Sequence, residues 1–156
     1  MELFNKKWFK IVLAEACVVI VAVLGSIFVN LGMDWFNLLV KPSQWIPNIV
    51  IPIVWTIIYG IVAIILFLWI KADKISKTNV VLLIINGVLN IVWCLFFFTF
   101  NLTFVGNIII ILNLFAGILL VLNIYKTKKI YGYLLIIYPV WLAIATSLNL
   151  ALWILN

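Results

Sequence analysis

The chain has 156 residues, 69% of them hydrophobic, and a mean hydropathy of +1.38. A chain this short cannot bury so much apolar surface in a water-soluble core, which excludes a soluble domain and indicates a polytopic membrane protein. The formal charge of +6 comes from lysines that flank apolar runs, so it indicates topology signals and contact with anionic headgroups, not a nucleic-acid partner.

Five apolar runs are long enough to cross a bilayer, whose core takes about 20 helical residues to span. A backbone in lipid must satisfy its own hydrogen bonds, so each run is predicted to be helical. The sequence therefore predicts a single all-α integral membrane domain over 1–156, a bundle of five transmembrane helices. The predicted spans cover 11–29, 49–70, 80–100, 104–124 and 133–155, with an ordered lid loop at 30–47 between helices 1 and 2.

The most unusual stretch runs from Trp35 to Gly60 and contains three of the four prolines. Proline fixes φ and donates no backbone hydrogen bond, so the segment before Pro47 is predicted to be a non-helical lid or a series of turns. It leads into the second span, where Trp55 and Tyr59 lie one helical turn apart. We therefore expect the lid to close one end of the bundle over a pocket.

The lysines predict the orientation of the bundle. Three precede the first span, three lie between spans two and three, and three lie between spans four and five, whereas Lys41 stands alone on the other side. Short lysine-rich loops stay cytoplasmic, so the N-terminus is predicted to be cytoplasmic and the C-terminus and lid to face outside. The first run is too long for a signal peptide and lacks a cleavage site, which predicts a retained span.

Polar residues inside the spans form two stripes. Such residues tend to face the bundle interior or a cavity, because contact with lipid is costly. Asn86, Asn90 and Trp93 share one face of the third span, which Phe97 continues. Interhelical amide hydrogen bonds are a second interpretation of each asparagine. The combination of amide and aromatic side chains favours a pocket, because it recurs on the fifth span at Trp141, Ala145 and Asn149.

The tryptophans divide into two groups. Trp8 and Trp69 lie at span ends beside lysines and are predicted to anchor the protein at the membrane interface. Trp55, Trp93 and Trp141 lie within spans. A flat apolar ring with one N–H donor suits a cavity for a large aromatic ligand, through stacking and one polar contact.

Catalytic signals are nearly absent from the sequence. It has no histidine, no paired carboxylates in a span, no metal-ligand cluster and no phosphate-binding loop, which argues against acid/base or metal-assisted hydrolysis, and no cofactor is expected. Glu15 is the only acid inside a span; it either reaches the interface, pairs with Lys7 or Lys10, or couples protons. Cys17 and Cys94 lie inside apolar runs and predict free buried thiols.

Five short motifs follow one another along the chain and together resemble the tryptophan-rich sensory protein family, also called the translocator protein or peripheral-type benzodiazepine receptor family. The resemblance covers most of the chain. It implies five transmembrane helices, a pocket under the loop between spans one and two, and a homodimer. The motifs are Trp35 with Lys41-Pro42-Ser43, Trp55-Thr56-Ile57-Ile58-Tyr59-Gly60, Leu89-Asn90-Ile91-Val92-Trp93, Tyr138-Pro139-Val140-Trp141 and Ala145-Thr146-Ser147-Leu148-Asn149.

The resemblance also implies a function. It points to a membrane receptor or binding protein for porphyrins such as protoporphyrin IX and haem, and for isoquinoline-carboxamide and benzodiazepine-type drugs, in tetrapyrrole sensing or disposal. The alternatives are a light- and oxygen-dependent porphyrin-degrading enzyme, with Trp55 and Trp141 as catalytic residues, or a small porphyrin or sterol transporter. The residues expected to bind ligand are Trp35, Trp55, Tyr59, Asn86, Asn90, Trp93, Phe97, Trp141, Ala145 and Asn149.

Two features depart from the family pattern. The family's lid usually reads Pro-Ser-Trp-x-Pro-Pro, but here Gln44 precedes Trp45 and only Pro47 follows, so the lid tryptophan is shifted by one position. The cholesterol-recognition pattern needs a tyrosine and then a lysine or arginine, and the chain has neither after Thr146. This disfavours cholesterol and implies a bacterial-type member in the cell membrane.

Overall fold

The computed structural model describes residues 7–43, 46–72 and 75–156, and within these ranges it contains helices and connecting turns but no strand. Five of its helical segments are long and apolar enough to cross a membrane. The predicted all-α, five-span class is therefore confirmed, and the chain is an integral, multi-pass membrane protein. The membrane-spanning segments are Lys7–Leu31, Val50–Lys71, Lys77–Thr99, Thr103–Thr127 and Lys129–Leu155.

Seven α-helices and one π-helical turn make up these segments and the lid. We number the α-helices in chain order and call the π-helical segment the π turn. They are α1 (Lys7–Leu31), α2 (Met33–Leu38), α3 (Val50–Lys71), α4 (Lys77–Cys94), the π turn (Leu95–Thr99), α5 (Thr103–Thr127), α6 (Lys129–Leu135) and α7 (Ile137–Leu155).

The lid differs from the prediction, because its first part is helical. α1 continues to Leu31 and α2 follows after Gly32, so within the described part of the lid only Gly32 and residues 39–43 and 46–47 fall outside helices. The prolines restrict only the residues next to them, and they lie beyond α2. Gln44 and the shifted Trp45 lie outside the described residues.

Gly32 is where the lid meets the bundle. A Cβ atom at this position would lie 2.0 Å from the carbonyl oxygen of Phe98 in the π turn. Only glycine therefore lets the α1–α2 junction pack so closely against that backbone. The side chain of Asn156 holds the lid at a second point, since its Oδ1 accepts from the Val40 amide at 2.9 Å and its Nδ2 donates to the Val40 carbonyl at 3.1 Å.

The fifth span is interrupted between α6 and α7. Pro139 has no amide hydrogen to donate to the carbonyl of Leu135, and the helix restarts with a long 3.3 Å bond from the Val140 amide to the Ile136 carbonyl. The span also begins at Lys129, earlier than predicted. Asn101 makes the tight turn before the fourth span with a φ of 59°, a left-handed conformation that asparagine tolerates.

The helices form a ring. α1 packs between α3 and α4, and α5 packs between α4 and α7, while α3 meets α7 only along a short stretch. The backbones of α3 and α4 do not contact each other along their described lengths. Large side chains therefore fill the middle of the ring, and the outer surface exposes many aliphatic and aromatic side chains to lipid.

Two side-chain placements refine the sequence analysis. Trp8 is exposed at the end of α1, as an interface anchor should be, but Trp69 is only 1% exposed. Trp69 is buried because α6 folds over it, with the Tyr131 ring edge-on at 5.6 Å. The small residues Ala143 and Ser147 of α7 are exposed on the outside of the bundle, so these two do not serve packing within the chain.

Candidate functional site

Trp55 occupies the centre of an aromatic cluster inside the ring. It stacks on Tyr59, one turn along α3, at 5.6 Å between ring centroids and 26° between planes. It also contacts Trp93 of α4 at 6.4 Å and Tyr138 of α7 at 6.3 Å. Because the α3 and α4 backbones stand apart, these rings occupy the space between three helices.

The cluster continues to the lid. Trp93 contacts Phe97 at 6.1 Å, and Phe97 meets the edge of Trp35 in α2 at 5.9 Å. Phe97 is completely buried, whereas Trp35, Trp55 and Tyr59 are half-buried. A continuous row of rings thus runs from beneath the lid to the middle of the bundle.

A network of amides lies next to the rings. The hydroxyl of Tyr138 accepts a hydrogen bond from Asn90 Nδ2 at 3.0 Å and lies 3.1 Å from both Asn86 Oδ1 and Asn113 Oδ1. Asn113 Nδ2 donates to Asn90 Oδ1 at 2.8 Å. Gly117 leaves room for this approach, since a Cβ there would lie 3.1 Å from the Tyr138 ring. The network joins α4, α5 and α7.

This network changes the interpretation of two predicted site residues. Asn86 also donates through Nδ2 to the Leu82 carbonyl at 2.7 Å, and Asn90 uses both its donor and its acceptor within the network. The interhelical interpretation of these asparagines is therefore the one observed. Their amides position Tyr138.

Several buried donors have no hydrogen-bond partner among the described residues. Those on the predicted site residues are the indole nitrogens of Trp93 and Trp141 and the Nδ2 of Asn149. Trp141, Ala145 and Asn149 are all buried on one face of α7, as their spacing predicts. Buried polar groups without a partner are costly. The site therefore offers flat rings for stacking together with unused N–H groups, which suits a large aromatic ligand with polar edges.

Sequence reasoning identified the aromatic row but missed three polar members of its surroundings. Tyr138 is the hub of the amide network, and its position one turn from Trp141 was the available signal. Asn113 was recognisable as a polar residue in a span, but nothing in the sequence indicated its partners. Asn107 is buried on α5 within a run of aliphatic residues and carries unpartnered polar atoms.

Two thiols and one carboxylate lie within the first and third membrane-spanning segments. No group of three or more His, Cys, Asp or Glu that could hold a metal lies within the described parts of the chain. Cys94 is buried as predicted, but Cys17 is exposed on the outside of α1. One carboxylate oxygen of Glu15 is buried and has no hydrogen-bond partner among the described residues.

Comparison with known proteins identifies the family. The model of the TspO/MBR family matches residues 14–154, which include parts of all five membrane-spanning segments. The chain belongs to the TspO/MBR family. The resemblance seen in the sequence motifs is thereby confirmed, and the aromatic cluster under the lid is the interior of a TspO/MBR bundle.

Relatives of this TspO/MBR protein occur in bacteria and archaea. Three proteins named Tryptophan-rich protein TspO are similar over nearly their whole length. The one from Bacillus cereus is 25% identical over 85% of this chain and 87% of its own. Those from Archaeoglobus fulgidus and Chlorobaculum tepidum are 28% and 29% identical, covering 94% and 97% of this chain and 97% and 99% of theirs. The chain is thus a membrane-embedded tryptophan-rich protein of the sensory and translocator type.

Proposed function

We propose that this TspO/MBR protein is a membrane receptor or binding protein for porphyrins, such as protoporphyrin IX and haem, in tetrapyrrole sensing or disposal. Related flat hydrophobic molecules, including isoquinoline-carboxamide and benzodiazepine-type drugs, would occupy the same site. The observation that carries the proposal is the position of Trp55, whose ring contacts Tyr59, Trp93 and Tyr138 where the α3 and α4 backbones stand apart.

The ligand would lie among these rings and replace the contacts that they make with one another. Trp55 and Tyr59 are half-buried and belong to α3, the helix that meets α7 only briefly, so they can turn aside with little change in the backbone. Offset stacking on an indole ring contributes beyond the apolar area buried. The indole N–H groups of Trp93 and Trp141 would then donate to polar atoms of the ligand.

Tyr138 would form the floor of the site. The three asparagines around its hydroxyl fix the orientation of its ring against Trp55. We therefore propose that Asn86 and Asn90 act on ligand binding through Tyr138. Trp35 and Phe97 would close the other end beneath the lid.

The orientation and assembly of the protein remain proposals. Lys7 Nζ lies 3.4 Å from the Lys71 carbonyl, so the lysine-bearing ends of α1 and α3 are at the same end of the bundle. We propose that this end is cytoplasmic and that the lid faces outside, because short lysine-rich flanks stay inside. We also propose a homodimer in a bacterial cell membrane, as the family resemblance implies.

Quenching of tryptophan fluorescence by protoporphyrin IX tests the proposed function. The purified protein in detergent is titrated as wild type, as Trp141→Ala and as Trp153→Ala. Trp153 is the matched control, because it lies on the outer surface against Phe104 and is 44% exposed. We expect saturable quenching in the wild type and the control, and at least tenfold weaker binding in Trp141→Ala.

Two outcomes would contradict the proposal. Quenching that never saturates, or that is identical in all three proteins, would mean that the porphyrin partitions into the micelle. Consumption of bound porphyrin under light, lost in a Trp55→Phe/Trp141→Phe double variant, would instead establish the enzyme.

A further inference from the structure

Two asparagines near the lid end of the bundle carry polar groups that the protein does not use. Asn107 of α5 is 3% exposed, and neither its Nδ2 nor its Oδ1 has a hydrogen-bond partner. Asn149 of α7 is 5% exposed, and its Nδ2 is unpartnered. Asn113, two turns further along α5, has partners for both ends of its amide. Unsatisfied amides at membrane depth are costly, so we expect Asn107 and Asn149 to form hydrogen bonds with a partner from outside the chain.

The two amides lie at the same level of the bundle. α5 packs against α7, and the ring of Phe104 contacts the ring of Trp153 at 5.4 Å. Asn107 lies about one helical turn into the bundle from Phe104, and Asn149 about one turn in from Trp153. Both side chains are buried, and they belong to helices that pack against each other at this level.

This amide pair borders the aromatic cluster. Gly106, next to Asn107, packs so closely on Phe97 that a Cβ would lie 2.7 Å from its ring. Asn149 lies on the buried face of α7 that also carries Trp141, whose indole nitrogen is unpartnered as well. A ligand seated on the rings can therefore reach the amides with one edge.

We propose that Asn107 and Asn149 form a subsite for an uncharged carboxylic acid group of the ligand. The inference rests on the proposed porphyrin binding, and the group in a porphyrin is a propionic acid side chain. The acid O–H would donate to Asn107 Oδ1, and its carbonyl oxygen would accept from the Nδ2 groups of Asn107 and Asn149. An amide and a carboxylic acid form such a pair because each offers a donor beside an acceptor.

The same two amides determine which charge state of the ligand's carboxylic acid group the subsite would take. An ionised carboxylate has no proton to donate, so it would leave Asn107 Oδ1 without a partner. The lysines that follow α5 along the chain, Lys128 and Lys129, lie at the opposite end of the bundle, and Lys41 of the lid lies over the Phe36 ring at 4.7 Å. The unpartnered Oδ1 of Asn107 therefore selects the neutral acid over its anion.

Esterification of the ligand tests the subsite. Protoporphyrin IX and its dimethyl ester are titrated by fluorescence quenching into the wild type, Asn107→Leu, Asn149→Leu and Asn123→Leu. The ester keeps the flat ring and loses the acid proton. The loss of one neutral hydrogen bond weakens the affinity on the order of tenfold. We expect the wild type to prefer the free acid by roughly that factor, and Asn107→Leu to lose most of the preference while keeping its affinity for the ester. Asn149→Leu should lose most of the preference as well.

Asn123→Leu is the matched control, because Asn123 lies near the lysine-bearing end of α5 and donates to Asn79. It should keep the preference for the acid. Asn107→Leu breaks no hydrogen bond within the protein, so its melting temperature without ligand should equal or exceed that of the wild type. The same acid-to-ester ratio in the wild type and Asn107→Leu, with saturable binding in both, would overturn the subsite and leave the proposed function intact. Saturable binding of neither porphyrin to the wild type would overturn both.

Discussion

Asn90 donates through its Nδ2 to the hydroxyl of Tyr138 at 3.0 Å, and this bond ties α4 to α7 in the middle of the bundle. The same hydroxyl lies within hydrogen-bonding distance of Asn86 and Asn113, so one oxygen atom completes the polar contacts of three buried amides. The position of the Tyr138 ring against Trp55 depends on it. We therefore expect Tyr138 to contribute to stability and, under the proposed function, to ligand binding.

Tyr138→Phe should destabilise the protein. It leaves buried amide groups of Asn86, Asn90 and Asn113 without their partner, at a cost of about 1–3 kcal/mol in the free energy of unfolding. Unfolding of the purified protein in detergent measures the change. Tyr133→Phe is the control, because its exposed hydroxyl only meets that of Tyr125 at 3.2 Å. Equal stability of the two variants would show that the network adds nothing to the fold.

Gly32→Ala should be among the most harmful single-methyl additions to the chain. The new Cβ would fall 2.0 Å from the Phe98 carbonyl oxygen, so the α1–α2 junction and the π turn must separate. We expect a loss of more than about 2 kcal/mol, in the range of overpacked sites. Gly60→Ala is the matched control, since nothing lies within 4 Å of a Cβ there. That substitution should leave stability unchanged or raise it by up to about 1 kcal/mol, because alanine is the better helix former. Similar melting temperatures for the two variants would contradict this account of Gly32.

Asn156→Leu should loosen the lid without unfolding the bundle. It removes both hydrogen bonds between this side chain and the Val40 backbone. Two neutral hydrogen bonds correspond to roughly 1–3 kcal/mol, so exchange of the Val40 amide hydrogen should speed up by about tenfold or more. Hydrogen exchange followed by mass spectrometry over the lid measures this. Ser147→Ala serves as control, because its hydroxyl bonds only within its own helix, to the Ile144 carbonyl at 2.7 Å. Unchanged lid exchange in Asn156→Leu would show that other contacts hold the lid.

Glu15→Gln should leave porphyrin affinity within about twofold of the wild type. Glu15 lines an outer groove of about 290 Å³ between α1 and α3, together with Ala63, Ile64, Phe67 and Leu68. This groove lies on the part of α3 that follows Trp55 and Tyr59, toward the lysine-bearing end. Titration with protoporphyrin IX checks the binding, and a flux assay in vesicles checks transport. Porphyrin flux that disappears in Glu15→Gln while binding persists would favour a transporter with Glu15 as its coupling group.

The fold was predictable because its determinants are local. Five apolar runs of sufficient length, separated by lysines and prolines, require five helices in a bilayer whatever their packing. The details that depend on neighbours were not predictable in this way. α2 forms within the lid because Gly32 allows the chain to pack on the π turn. Trp69 was predicted to lie at the interface because a lysine follows it, but α6 covers its side chain.

The site was predictable in part, for a similar reason. Helical spacing places Trp55 with Tyr59, and Asn86 with Asn90 and Trp93, on single faces, but it does not say which side chains meet across the bundle. From the sequence, Asn90 suited both a ligand contact and a hydrogen bond to a neighbouring helix. Its partner Tyr138 lies 48 positions away in the sequence. Asn107 gave no signal at all, since its burial depends on the register of α5 against α7.

The contacts that the aromatic rings make with one another would set a lower limit on the size of a ligand. Trp55 alone touches three other rings, so a molecule that enters the site must separate them before it gains anything. A single benzene-sized ring would replace one of those faces and leave the others exposed. A porphyrin, in which methine bridges link four pyrroles into one flat macrocycle, would cover all of them at once. Under the proposed function, this ring packing would favour broad, rigid ligands over single aromatic rings.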